Sequence, residues 1–146
     1  LGDVYKRQII FSSSKLKVKE LAHTLKRMKL NVAAMHSDLE QAQREEVMLD
    51  FKNNKVSILV ATDIVARGID IEDIGLVINY DVPHDPEDYI HRIGRTGRAK
   101  RHGVAYTLLS DFPSRMRLDD IARNTRSQII PASVDENGHV TPTEKK

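Results

Sequence analysis

Apolar positions along this chain switch between two spacings. Ile9-Ile10-Phe11 is a short apolar run, the pattern of a strand buried on both faces. Ser12-Ser13-Ser14 follows and offers a helix cap. From Lys15 to Lys29 the apolar residues Val18, Leu21, Ala22, Leu25 and Met28 recur at helical spacing, beneath a lysine-rich outer face. Asn31 to His36 predicts a second strand, and Ser37 with Glu40 gives an S-x-x-E capping signature. The helix so capped carries Val47, Met48 and Phe51 and runs to about Lys52. Further strands are expected over Val56–Thr62, Gly75–Tyr80 and Gly103–Leu109. Between the last two, Asp85-Pro86 opens a helix that leads to His91. A final helix is expected from about Pro113, with Leu118, Ile121 and Ala122 on one face.

Strands alternating with helices over short loops imply βαβ units, a mostly parallel sheet and helices on both faces. Ligands of such sheets gather at the carboxyl ends of the strands. Ser12–Ser14, His36–Asp38, Thr62-Asp63, Asp81 and Ser110-Asp111 should therefore share one edge. Residues 1–8 are set aside as a candidate non-native leader, and the chain is read as a fragment. Residues 9–126 form the domain, and 127–146 a polar tail, partly disordered, with a turn signal at Asn137-Gly138.

Composition narrows the class. With 146 residues, 40% of them hydrophobic and 30% charged, the chain suits one globular domain. No apolar run approaches the ~18 residues of a membrane span. The lack of cysteine excludes disulfides and thiolate metal sites, and a cytoplasmic setting is expected. The net charge of +2 hides a local cluster: Arg92, Arg95, Arg98, Lys100 and Arg101 occur with no acidic residue among them.

That cluster holds the leading chemical candidate, His91 to Arg98. Gly94 and Gly97 would each cost a helix interior about 1 kcal/mol relative to Ala, so a helix end is expected to pass into a loop here. Arginines set on such a loop suit multi-donor recognition of phosphate. A solvated basic patch is the plain alternative, and the octamer alone does not decide between them. Ala61 to Asp70 follows a strand with small and polar residues; capping by Thr62 or Asp63 is its commoner use. Gln41 and Arg44 lie in the first turn of a helix, where a solvated face is the usual role. His36 has no partner at metal-ligand spacing and is assigned a structural or hydrogen-bonding role.

In this order and spacing, the segments resemble the second RecA-like domain of the DEAD-box RNA helicases of superfamily 2, over about Ile9 to Leu109. Ile9 to Lys15 is similar to motif IV, Gln41 to Arg44 to the Q-x-x-R of motif IVa, and Ala61 to Asp70 to motif V. His91 to Arg98 reproduces motif VI, H-R-x-G-R-x-x-R, and Val77 to Pro83 resembles the segment between the last two. Ala99-Lys100-Arg101 departs from the pattern where a second glycine is usual, and keeps the charge.

The resemblance implies an α/β, three-layer αβα RecA-like domain that completes an ATP site shared with an N-terminal RecA-like domain. It implies Arg95 and Arg98 as arginine fingers, with His91 and Arg92 coupling to the partner domain's acidic motif. Gly68 and Asp70 would meet the nucleotide, Asp70 at its ribose. Ser12, Ser13, Ser14, Gln41, Arg44, Thr62, Asp63, Arg67 and Gly68 would face RNA phosphates and sugars. No G-x-x-x-x-G-K-[S/T] and no Asp-Glu-Ala-Asp segment occurs, so ATP and Mg²⁺ are expected to be held mainly by the other domain. The fragment alone is expected to hydrolyse no ATP and to bind RNA weakly. The full protein would be an RNA-stimulated ATPase. A non-catalytic RecA-like module that binds RNA or protein is the alternative from another class, and a DNA-directed helicase is a weaker rival.

Overall fold

The computed structural model describes residues 7–66, 74–94 and 104–143. Five parallel strands form the central sheet: β1 (Gln8–Ser12), β2 (Val32–Met35), β3 (Ile58–Thr62), β4 (Leu76–Asn79) and β5 (Val104–Thr107), in the order β2-β3-β1-β4-β5. The order places β1 in the centre, which explains its unbroken apolar run: both of its faces are covered. Ile9 and Phe11 project to one side and Ile10 to the other, following the two-residue period of a strand.

Helix α1 (Lys15–Arg27) covers one face, burying Val18 and Ala22 against Ile10, Val32 and Val60. Helix α2 (Gln41–Lys52) covers the other, where Phe51 is enclosed with Ile9, Phe11, Met35 and Leu59. The expected three-layer α/β architecture is what the chain adopts. Helix α3 (Asp63–Ala66) is a single turn directly after β3, and α4 (Pro86–Ile93) follows β4. Helix α5 (Phe112–Thr125) closes a third apolar cluster, in which its Leu118 and Ile121 meet Val82 and Tyr89. No helix among the described residues is long and apolar enough to cross a membrane.

Three local differences from the sequence reading have simple causes. Helix α2 starts at Gln41, not after Ser37, because residues 37–39 make a turn closed by the Leu39 amide on the His36 carbonyl. The box is instead completed by Glu40 and Gln43, whose side-chain Oε1 accepts from the Glu40 amide at 2.8 Å. At the amino end, Gln8 is a full member of β1, paired with Ile58 and Leu76, and the Arg7 guanidinium lies 5.6 Å from the Phe51 ring. Within the polar tail, Ala132–Val134 (β6) and Val140–Pro142 (β7) pair as an antiparallel hairpin. Asp135 organises its turn by accepting from the Asn137 and His139 amides, and Gly138 takes the positive φ of 83° that the turn requires.

Candidate functional site at the carboxyl edge of the sheet

Parallel pairing in register brings three strand ends level. Ser12 sits opposite Thr62, and Phe11 opposite both Ala61 and Asn79. The polar residues that follow these strands therefore meet at one edge. What joins them is Arg92, delivered from α4. This helix is capped by Asp85, whose carboxylate accepts from the Glu87 amide at 2.9 Å, with Pro86 opening the first turn.

Arg92 is fully buried. Its Nε donates to Asp63 Oδ1 at 2.5 Å and its Nη2 to Asp63 Oδ2 at 2.8 Å, a two-pronged pairing of planar groups. Nη1 donates to the Asp81 carbonyl at 2.7 Å and to Asn79 Oδ1 at 3.5 Å. Nη2 also donates to Ser13 Oγ at 3.0 Å and to Asp81 Oδ1 at 3.2 Å. The guanidinium lies 5.9 Å from the Phe11 ring. A buried cation is tolerated only when paired and hydrogen-bonded, and all three nitrogens of this one are engaged.

The surrounding groups are bound to one another as well. Ser12 Oγ donates to Asp81 Oδ2 at 2.5 Å, the Ser13 amide donates to the same carboxylate, and Ser13 Oγ donates to Asp63 Oδ2 at 2.9 Å. Burial pushes the Asp81 carboxyl upward, but the Ser12 hydroxyl, the Ser13 amide and the Arg92 charge outweigh it. Its pKa lies below the usual carboxylate value. Asn79 extends the set to β5 by donating from Nδ2 to Thr107 Oγ1 at 2.9 Å.

The residues singled out from sequence thus fall into separate groups. Ser12, Ser13, Asp63 and Arg92 belong to one hydrogen-bonded unit, and Thr62 is buried beside it at the end of β3. Ser14 caps α1 by accepting from the Lys17 amide. Arg92, which the resemblance couples to another domain's acidic motif, has its whole side chain enclosed among the described residues. His91 stays outside the unit; it borders a cavity of about 270 Å³ with Glu87, Asn124 and Thr125. Gln41 and Arg44 pair with each other, Arg44 Nη2 donating to Gln41 Oε1 at 3.1 Å on the first turn of α2. Arg67, Gly68, Asp70, Arg95 and Arg98 lie outside the described residues.

His36 has the structural place expected of it. It is buried, its Nδ1 accepts from the Asp38 amide at 3.3 Å, and burial together with Lys19 lowers its pKa. Sequence reading places Asp81 at this edge and Asn79 in the Val77–Pro83 segment, but identifies neither as an acceptor for Arg92. Their signal was available: Tyr89, Arg92 and Ile93 share one helical face, so Arg92 sits on a stripe that turns inward and must find acceptors there.

Comparison with known proteins agrees with this fold. The model for the helicase conserved C-terminal domain matches residues 3–100. The ATP-dependent RNA helicase CshA of Limosilactobacillus reuteri is 47% identical over 124 residues, 84% of this chain and 24% of that protein. The chain spans between about a quarter and a third of the length of such relatives. Among solved structures, the C-terminal domain of the DEAD-box protein Dbp5 superposes with a TM-score of 0.77 at 34% identity, covering 86% of this chain and 79% of that one. Dbp5 of S. cerevisiae bound to RNA and ADP BeF3 gives 0.77 at 37% identity, over 84% and 33%. The matching domain model, the relatives and the shared fold converge: the chain belongs to the helicase conserved C-terminal domain family, in the form carried by DEAD-box proteins.

Proposed function

We propose that the chain is the C-terminal half of an ATP-dependent RNA helicase, acting on ATP and RNA together with an N-terminal RecA-like domain. The observation that carries this reading is the hydrogen-bonded unit at the carboxyl edge. It ties the ends of β1, β3 and β4 to the helix that ends at Gly94, immediately before Arg95 and Arg98 in the sequence. Relatives that bear the name ATP-dependent RNA helicase support the same assignment.

In this reading Arg95 and Arg98 neutralise charge that develops on the transferred phosphoryl group, while Asp70 and Gly68 hold the ribose side of the nucleotide. ATP supplies the phosphoanhydride whose cleavage drives the cycle. The donors this chain offers it are cationic and suit phosphate. In the same reading the accompanying Mg²⁺ is held mainly by the other domain. Thr62, Arg67, Gln41, Arg44 and the Ser12–Ser14 turn contact RNA phosphates and sugars, which orients the strand without reading its bases. A cytoplasmic setting belongs to the same reading.

The test is RNA-stimulated ATP hydrolysis by the full-length protein. Arg98→Ala should lower turnover by ~10³–10⁵, the usual contribution of an arginine finger, with RNA affinity nearly unchanged. An equal loss of RNA affinity would move Arg98 to the RNA side. No RNA-stimulated hydrolysis in the parent protein would favour a binding module, and stimulation by DNA in place of RNA would favour the DNA-directed rival.

A further inference from the structure

We propose that Arg92 is a positioning residue, which acts through Asp63 to lock the end of α4, just before Arg95 in the sequence, to the RNA-facing strand ends. The proposal rests on the function proposed above and gives Arg92 a role distinct from contact with another domain. The side chain has 0% exposure, and Asp63 shields it from the solvent side with a carboxylate that is itself 11% exposed. A group so enclosed has no path to a second domain without dismantling the edge.

The connectivity says what Arg92 does there. Asp63 directly follows Thr62, at the head of the segment that carries Arg67 to Asp70, and Ser13 lies in the turn after β1. Arg92 grips both, together with Asp81 after β4. Two residues on, the Gly94 amide closes α4 on the Ile90 carbonyl at 2.9 Å, so the point where the chain departs toward Arg95 is fixed by the same helix. A shift of Ser13 or Asp63 when RNA engages the edge has to be passed to α4 or break a buried ion pair. Arginine is required because its fork meets Asp63 with two parallel hydrogen bonds while a third nitrogen still reaches the Asp81 carbonyl. Lysine keeps the charge and loses that geometry.

The experiment uses full-length protein carrying Arg92→Lys, Asp63→Asn or both. Turnover, RNA affinity and thermal unfolding are each measured. The expected result is a fall in kcat of about 10²-fold in either single variant, the size associated with slight misplacement of catalytic groups. RNA affinity changes far less, and the double variant is no slower than the worse single one. Asp63→Asn preserves volume, so it keeps the test alive if Arg92→Lys folds poorly. Three results would overturn the proposal. Loss in Arg92→Lys with wild-type turnover in Asp63→Asn would mean that Arg92 acts beyond its own domain. Multiplicative losses would mean two independent roles. Lowered melting temperature with unchanged kcat per folded molecule would mean a purely structural pair. If the parent protein shows no RNA-stimulated hydrolysis, the underlying function fails instead, and the proposal goes with it.

Discussion

Two aspartates near neighbouring strand ends make opposite use of the same chemistry. Asp38, after β2, meets Lys15 at 2.8 Å and also Lys19, with all three side chains between 43% and 46% exposed. Asp63, after β3, meets Arg92 at 2.5 Å; the arginine is fully enclosed and the aspartate 11% exposed. Hydrogen bonds from Lys15 and Lys19 pull the Asp38 carboxyl down to about 2, a large shift on a group that solvent and salt still screen. The Arg92 pair gives up most of its hydration and survives because all three guanidinium nitrogens find acceptors. An exposed pair can trade its partner for water, whereas a buried one has no substitute. The comparison therefore separates charge that decorates the domain from charge that holds its working edge together.

The largest effect should come from breaking the buried pair on one side. Arg92→Ala leaves Asp63 and Asp81 beside an empty, water-poor space, and about 3–5 kcal/mol of stability should be lost. Chemical unfolding of the chain measures it, with Lys15→Ala as the exposed counterpart. A loss in Arg92→Ala as small as that in Lys15→Ala would erase the distinction. Arg92→Met with Asp63→Leu sharpens it further: removing both charges should cost less than removing one.

How much of this was legible in the sequence depends on the range of the interactions. The strands were readable because a sheet covered on both faces needs continuous apolar runs, as Ile9 to Phe11 and Ile58 to Ala61 show. Helix starts followed local rules at Asp85-Pro86, and at Asp111, whose side chain accepts from the Ser114 amide. They failed at Ser37, where the turn around His36 delays α2 by a turn's length. The shared edge was legible from topology alone. The destination of Arg92 was not, because its acceptors lie 11, 29 and 79 residues away in Asp81, Asp63 and Ser13. An arginine in a basic run reads as a surface ligand for phosphate until the partners brought by folding are known.

Asp81 stands between the two extremes and gives an intermediate effect. Asp81→Asn would turn an amide N–H toward the Ser13 amide, which faces both carboxylate oxygens, setting donor against donor. At neutral pH the loss should be about 1–3 kcal/mol. The pH dependence has a definite sign. The folded carboxyl has a pKa below its unfolded value, so the unfolded state binds the proton more readily. The stabilisation is fully present above the unfolded value of about 4 and is lost as pH falls through the lower folded value. Unfolding of wild type and Asp81→Asn at neutral and acid pH should therefore converge on acidification. A gap that stays constant across this range would show that the carboxylate charge contributes nothing.

The smallest effect is expected at Asp38, and it is the sharpest test of whether burial and not pKa shift governs the contrast. The carboxyl at about 2 sits further below its ordinary value than simple exposure would suggest, so by linkage alone it should stabilise the fold above pH 4 or so. Two opposing effects act on it. Holding two lysine side chains in one geometry costs rotamer freedom, and salt weakens exposed charge interactions with a screening length of about 8 Å at physiological strength. Asp38→Asn also keeps the backbone amide that His36 Nδ1 accepts from, so the turn after β2 is preserved. The variant should melt close to wild type in moderate salt and separate from it only as salt is removed. A loss at Asp38 that matched Arg92→Ala and resisted salt would mean that the lysine pair anchors α1 to the turn after β2, and that exposure is a poor guide to which charges this domain depends on.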